Sequence, residues 1–309
     1  MKTLHTLTLL CLLTSPLFAA EKVDKHLELS GQTMLEVKVQ RGQVELSPWD
    51  KNTIQVQGTL DELSEGLVFE SQSGRILLED KMPKSYQGKN SQGSALKISV
   101  PAGMALKAES ISADYQLNGL MGDVELGTVS GDITAASLTG QVSFNTVSGE
   151  IDASELSGKV NMETVSGTIQ DKNSSSDEAN YKSVSGNIKL TTQAQTVLIE
   201  QVSGDTEAQL ANAGTVKYNA VSGDAKLSLK GNVKLSGESV SGDITLKLLD
   251  AANARVDING GPGGRIDNNL SGDAPSKPKY GPGSSLDMQL GDGTGIIELS
   301  TLSGKVTLD

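Results

Sequence analysis

The sequence predicts an all-β fold, a parallel β-solenoid (β-helix) of roughly 18-residue coils with a β-rich N-terminal cap. Two observations predict it. Aliphatic residues recur every nine residues between Ile111 and Val165, and a glycine lies two positions after most of them. Within a unit such as V-S-G-D-I-T-A, apolar or small residues alternate with polar ones, which is the period of a strand with one buried face.

Each coil is expected to contain two short strands. Nine is odd, so strict alternation would reverse the apolar face in every second unit unless a corner absorbs one residue, and glycine suits such a corner. Coils stacked about 4.8 Å apart would bury ladders of Val, Ile and Leu in a narrow core. An antiparallel sandwich or propeller is the alternative, but this spacing leaves little room for a strand and a hairpin turn in every unit.

The Val-Ser-Gly motif continues beyond the regular region in steps of 18 or 19 residues, at Val184, Val202, Val221 and Val240. Leu270 and Leu302 begin the two Leu-Ser-Gly motifs that close the series. The predicted segments, in order, are a signal peptide at 1–20, a β-rich capping segment at 21–105, solenoid repeats at 106–259, a Gly/Pro-rich loop at 260–284 and final coils at 285–309.

The first segment has the pattern of a secretory signal peptide. Lys2 precedes an apolar run from Leu7 to Leu13, and small residues follow. The run is too short to span a bilayer, and Cys11 lies inside it, which disfavours lipid attachment. Cleavage would leave no cysteine and therefore no disulfide or thiol chemistry. We therefore expect an exported protein of the bacterial envelope, in the periplasm or at the cell surface.

The net charge of -12, which becomes -13 without Lys2, is spread over a chain with few arginines and no basic cluster. Such a chain is a poor binder of nucleic acid and of anionic lipid surfaces. After cleavage, no remaining apolar run is long enough to cross a membrane. The expected partners are an envelope protein, a surface or a polysaccharide.

The two ends of the predicted solenoid have different roles. An open solenoid end exposes unpaired backbone that could add another chain, so residues 21–105 are expected to act as a cap. Trp49 is expected in the core of this cap rather than in a ligand platform. The segment at 260–284 is expected to be a plain surface loop, with a mobile binding loop as the alternative.

The motifs of common catalytic and cofactor sites are missing. After signal cleavage His26 is the one histidine, and it lies near the new N-terminus, which disfavours a Ser-His-Asp triad. Zinc sites need His or Cys clusters, which the sequence lacks. The glycines between Gly260 and Gly264 lack the lysine of a phosphate loop, and Arg265 stands where the calcium-binding nonapeptide needs Asp. We therefore expect no catalytic residue and no cofactor.

An acidic stripe is the one candidate binding site in the sequence. Asp205, Asp224 and Asp243 would stack about 5 Å apart on successive coils, beside a row of serines. Stacked like charges raise carboxylate pKa values or recruit a cation, so the stripe is a candidate cation or glycan site. The alternative, which we favour, is a solvated acidic face that keeps the rod soluble.

Three stretches carry a resemblance to a known family: "RGQVELSPWDKNTIQVQG", "LKISVPAGMALKAES", and the repeated "TVSGDI" and "SVSGDITLKL" units that end in "LSTLSGKVTL". They resemble the DUF4097 family, β-strand-repeat proteins grouped as candidate adhesins. The resemblance covers nearly the whole chain after the signal peptide. It implies a β-solenoid-like fold at the cell envelope, with no established activity and no catalytic residues.

Three functions remain open from the sequence. The first, which we favour, is a non-enzymatic, adhesin-like structural or interaction protein whose long faces contact its partner. The second is a polysaccharide-acting β-helix enzyme with outer-face carboxylates, which the scarcity of arginine and aromatic residues disfavours. The third is a periplasmic envelope-stress accessory protein that binds a membrane or a regulatory partner.

Overall fold

The computed structural model describes residues 21–84, 92–251 and 253–309. The predicted signal peptide, with Lys2 and Cys11, lies outside these ranges. Every regular element in the described ranges is a β-strand, which confirms the all-β prediction. Accordingly, none of the described residues forms a helix that is long and apolar enough to cross a membrane.

The N-terminal region contains nine strands that mix parallel and antiparallel pairing. Antiparallel strands form its outer edges, with β1 paired to β4 and β5 paired to β6. The strands are β1 (Lys22–Glu28), β2 (Met34–Lys38), β3 (Arg41–Trp49), β4 (Thr53–Thr59), β5 (Leu67–Gln72), β6 (Arg75–Asp80), β7 (Ser94–Pro101), β8 (Ala105–Glu109) and β9 (Ser112–Asn118).

The middle of the chain repeats a coil of two strands, as predicted. Even-numbered strands stack on one another in parallel to form the first stack, and odd-numbered strands form the second stack. The strands are β10 (Val124–Thr128), β11 (Ile133–Ala136), β12 (Thr139–Thr146), β13 (Ile151–Ser154), β14 (Ser157–Thr164), β15 (Ile169–Ser174), β16 (Glu178–Ser183), β17 (Ile188–Thr192), β18 (Thr196–Gln201), β19 (Thr206–Leu210), β20 (Thr215–Ala220), β21 (Ala225–Leu229), β22 (Lys234–Ser241) and β23 (Ile244–Leu248).

The partners in these ladders are 18 or 19 residues apart, for example Val142 with Val160 and Lys159 with Glu178. Most of the side chains that point between the two stacks are buried and aliphatic or aromatic, because alternate residues of a strand point to opposite faces. Two of the resulting columns are Val124, Val142, Val160, Ala179, Val197, Val216 and Leu235 in the first stack, and Tyr115, Ile133, Ile151, Ile169 and Ile188 in the second.

The C-terminal strands do not stack in chain order. They are β24 (Ala254–Asn268), β25 (Ser284–Gln289) and β26 (Gly295–Leu308). The last strand, β26, pairs in parallel with β22 and β23 on one side and with β24 on the other, so it occupies a slot between coils that precede it in the chain. Antiparallel β25 covers the outer side of β24.

Two details differ from the sequence predictions. The loop predicted at 260–284 begins later, because residues 260–268 belong to β24 and pair with β26. Trp49, expected in the cap core, is only half-buried at the end of β3. Its indole N–H donates to the carbonyl of Thr53 at 2.7 Å, and the Lys51 Nζ lies 4.6 Å from the ring centroid.

A single carboxyl group interrupts one apolar column of the second stack. Asp171, which is 1% exposed, lies between Ala153 and Leu190. The Ser174 hydroxyl donates to Oδ1, and the Tyr181 hydroxyl donates to Oδ2 at 2.5 Å. Burial raises the pKa of Asp171 above its ordinary value of 3.8, although these hydrogen bonds oppose the shift.

The raised pKa gives a testable pH dependence. The folded state favours the neutral carboxyl, so the stability that Asp171 contributes is fully present below about pH 4 and is lost as pH rises through the folded pKa. We expect Asp171→Asn, which stays neutral, to gain stability relative to wild type as pH increases from 4 to 8. Urea unfolding across this range measures the difference. A constant difference between the two proteins would contradict the pKa assignment.

Candidate functional site

A row of exposed valines runs along one corner of the solenoid, and we call it the valine row. Its seven valines are 41 to 48% exposed, although the alternation of the repeat predicts the same residues on a buried strand face. That prediction is wrong. The members are Val129, Val147, Val165, Val184, Val202, Val221 and Val240, with Ile111 at one end and Leu302 at the other.

The valines are exposed because Val-Ser-Gly forms the turn between the two strands of a coil. The backbone N–H of Gly131 donates to the Thr128 hydroxyl at 3.0 Å, which closes the turn and points Val129 outward. The same bond recurs one coil later, from Gly149 to Thr146 at 2.9 Å. A Thr three residues before a Gly is a local turn signal. The alternation of apolar and polar residues, which predicts strands, does not detect it.

Backbone hydrogen bonds between coils fix the valine row in place. The N–H of Ser148 donates to the carbonyl of Val129 at 2.8 Å, and Ser166 bonds to Val147 at 2.9 Å in the same way. Ser203 repeats the bond to Val184 at 2.8 Å. The row is therefore as regular as the strands beside it, and its valine carbonyls are paired with serine N–H groups of the next coil.

The glycines of the motif form a column at which the coils touch. A Cβ added to Gly167 would lie 1.8 Å from the carbonyl oxygen of Gly149, and one added to Gly149 would lie 1.9 Å from that of Gly131. Both distances are far shorter than any van der Waals contact. The column requires glycine because any side chain would push neighbouring coils apart.

The valines of the row from Val129 to Val221 form the floor of a groove of about 810 Å³, which we call the valine groove. One wall of the groove is formed by the outward-facing residues that lie two positions before each valine in the sequence. In that wall Glu109, Glu163 and Glu200 are acidic and Lys182 is basic. The Lys182 Nζ lies 3.2 Å from Glu200 Oε2, so the wall keeps a net negative charge.

The valine groove continues into a second cavity at its C-terminal end. Asn219 and Ala220 line both spaces, and the second has a volume of about 740 Å³. Val240 and Leu302 continue its apolar floor, and the loop between β24 and β25 contributes Pro278 and Pro282 to its wall. The groove therefore has one end bounded by this loop.

The acidic stripe lies on a different surface, at the start of the second-stack strands. Asp205, Asp224 and Asp243 are stacked on successive coils, as the sequence predicts. The backbone N–H of Asp224 donates to Asp205 Oδ1 at 3.1 Å, and that of Asp243 donates to Asp224 Oδ1 at 2.9 Å. Asp243 Oδ1 in turn accepts from Lys305 N at 2.8 Å. One oxygen of each carboxylate thus ties two coils together.

In the described ranges, no cluster of three or more His, Cys, Asp or Glu side chains is arranged to hold a metal ion. The hydrogen bonds between coils give these aspartates a role in stacking, and cation or glycan binding by them stays a prediction. The valine groove is not predicted from the sequence, although the Val-Ser-Gly motif that forms it is evident there.

Comparisons with known proteins agree with this architecture. Residues 156–260 match the family model Toastrack DUF4097. No curated protein sequence matches the chain. The structure of a "putative adhesin" from Parabacteroides distasonis is 12% identical with a TM-score of 0.51, over 74% of this chain and 97% of that protein. Another so named, from Bacteroides fragilis, is 13% identical with a TM-score of 0.38, over 94% of this chain and 98% of that one.

At 12% sequence identity, the Parabacteroides distasonis protein is similar to this chain in fold alone. The family match lies within the regular part of the solenoid and the start of its C-terminal coils. The resemblance predicted from the repeat is therefore confirmed over residues 156–260, which match the Toastrack DUF4097 model.

Proposed function

We propose that the protein is an exported, non-enzymatic, adhesin-like binding protein of the bacterial envelope, and that it binds a protein partner through the valine groove. The observation that carries the proposal is the exposure of an aliphatic residue at the same turn position of every regular coil. Monomeric proteins rarely expose long contiguous apolar surfaces, and those that do use them for binding. The name of the Parabacteroides distasonis protein supports the same class of function.

The lining of the groove favours a protein over a polysaccharide. Sugar sites rely on aromatic side chains that stack on the rings and on arginines that bind hydroxyls or acids. Among the described residues that line the valine groove, none is aromatic and none is arginine. Half-exposed valines on a rigid floor instead suit the apolar side chains of a protein segment.

The double variant Val165→Asn/Val202→Asn tests the groove. A bound partner would bury only the exposed half of each valine. Each change therefore removes about half of the free energy that burial of a whole valine side chain contributes, and the two changes together should weaken affinity about tenfold. The measurement is saturable retention of the labelled protein by envelopes of cells that lack its gene. Retention should also be lost when the envelopes are first treated with proteinase.

The matched control is Thr134→Asn/Thr191→Asn, which alters exposed outward residues of the second stack. We expect it to bind like wild type. Equal retention of the valine variant, or retention that survives proteinase, would contradict binding of a protein by this groove. Export is tested separately with a C-terminal tag. Cleavage by protease on intact cells indicates the surface, and cleavage only after outer-membrane permeabilisation indicates the periplasm.

A further inference from the structure

We infer that the valine groove binds an amphipathic α-helix of about 20 residues with lysine or arginine along one flank, an inference that rests on the proposed function. Its length is the first argument. Val129 and Val240 are six coils apart, which is about 29 Å at the spacing of stacked strands. A helix that rises 1.5 Å per residue covers this distance in about 19 residues.

The spacing of the floor is the second argument. The valines recur about every 4.8 Å along the groove, whereas one turn of helix advances about 5.4 Å. Side chains at helical positions i, i+3, i+4 and i+7 can therefore settle between successive valines over several turns. Side chains on one face of an extended strand recur about every 6.8 Å. Their spacing no longer matches that of the valines within two coils.

The backbone of the turns is the third argument. An extended peptide needs free backbone groups on its partner to pair its own N–H and C=O groups. In the turns of the valine row the valine carbonyls and the serine N–H groups are already engaged between coils, as in the bonds from Ser148 to Val129 and from Ser203 to Val184. An α-helix satisfies its own backbone hydrogen bonds and needs only the apolar floor.

Charge is the fourth argument. Glu163, Glu200 and Glu238 lie on alternate coils of the same wall, about 10 Å apart. Helix residues at i and i+7 are about 10.5 Å apart, so basic side chains at that spacing would face Glu163 and Glu238. A basic side chain between them would share Glu200 with Lys182, whose Nζ lies 3.2 Å from Glu200 Oε2. A second copy of the chain would bring an identical acidic wall, and a fatty acid would bring a carboxylate, so both are less complementary to this surface.

The test uses three synthetic 20-residue peptides of equal length and apolar content. The first places Leu and Lys at amphipathic helical spacing, the second alternates the same residues at strand spacing, and the third replaces Lys with Glu in the helical pattern. We measure dissociation constants by fluorescence anisotropy and helix content by circular dichroism. We expect the first peptide to bind at least tenfold more tightly than either other peptide and to become helical on binding.

Two double variants of the protein and one control variant link this binding to the groove. Val165→Asn/Val202→Asn should weaken the first peptide about tenfold, Glu163→Gln/Glu200→Gln should weaken it several-fold, and Thr134→Asn/Thr191→Asn should have no effect. Equal or tighter binding of the strand-spaced or acidic peptide would overturn the inference. Displacement of the helical peptide by laurate, or a valine-dependent dimer in sedimentation, would overturn it in favour of an acyl chain or a second copy.

The two proposals can fail separately. If no peptide binds but the valine variant still loses envelope retention, the helical occupant is wrong and the groove remains the binding surface. If the helical peptide binds in the groove but retention does not depend on the valines, the helix inference stands and the proposed function fails.

Discussion

Gly167→Ala is expected to lower the free energy of unfolding by about 3 kcal/mol, the upper range for overpacking a filled site. The new Cβ would lie 1.8 Å from the Gly149 carbonyl oxygen, and Thr164 Oγ1 would lie 3.1 Å away on the other side. The coils cannot separate to make room, because strands β14 and β15 are hydrogen-bonded to the preceding coil on both faces. Urea unfolding of the purified variant measures the change.

Gly127→Ala is the matched control for this substitution. Gly127 lies in β10 and no atom comes within 4 Å of an added Cβ, so the change should stay within about 0.5 kcal/mol. Ala in place of Gly otherwise restricts the unfolded chain and favours folding, so a similar loss of stability in both variants would show that contact between coils is not the cause. The comparison therefore isolates the contribution of the glycine column.

Deletion of residues 295–309 should abolish cooperative unfolding. Ile297, Leu299, Val306 and Leu308 are all at most 2% exposed, and each contributes about 1.5–3 kcal/mol on burial. Their combined loss is comparable with the whole stability of a typical domain, about 5–15 kcal/mol. The empty slot would also leave the edges of β22, β23 and β24 without their parallel partner. Calorimetry and binding of a hydrophobic dye would record the outcome.

Replacement of residues 277–281 by Gly and Ser, at equal length, is the control for this deletion. These residues lie in the exposed loop between β24 and β25. We expect the unfolding midpoint to stay within a few degrees, since surface changes shift stability by about 0.5 kcal/mol. A sharp, wild-type transition after the deletion of 295–309 would show that β26 is dispensable and that β24 moves to close the slot.

The architecture follows from the sequence because the repeat contains both its strand period and its coil length. Residues such as Ile133 and Ile151 lie in the predicted buried column. The position of Val129 could not be predicted from alternation, since the period of two continues through the turn without a break. Only the hydroxyl of Thr128 bonded to Gly131 N distinguishes a turn from a strand at that point.

The order of the last coils could not be predicted for a different reason. Leu270-Ser271-Gly272 and Leu302-Ser303-Gly304 match the repeat equally well in the sequence. In the structure Gly304 joins the glycine column, where an added Cβ would lie 2.2 Å from Gly242 O, whereas Gly272 has no atom within 4 Å. The repeat specifies which kinds of strand a coil can pair with. It does not specify which strand fills the slot beside β22 and β23, and that choice produces contacts across 62 residues, as between Lys305 N and Asp243 Oδ1.

The interchangeable coil also makes the molecule open to change by recombination. Each regular coil presents the same turn, glycine and strand edges to the next, so a gene segment that encodes one whole coil could be duplicated or lost without disturbing its neighbours. Near-identical units are also the places at which unequal crossing-over occurs. The proposed binding surface would thus lengthen or shorten in steps of one valine and about 4.8 Å, while the contacts of every remaining coil stay the same.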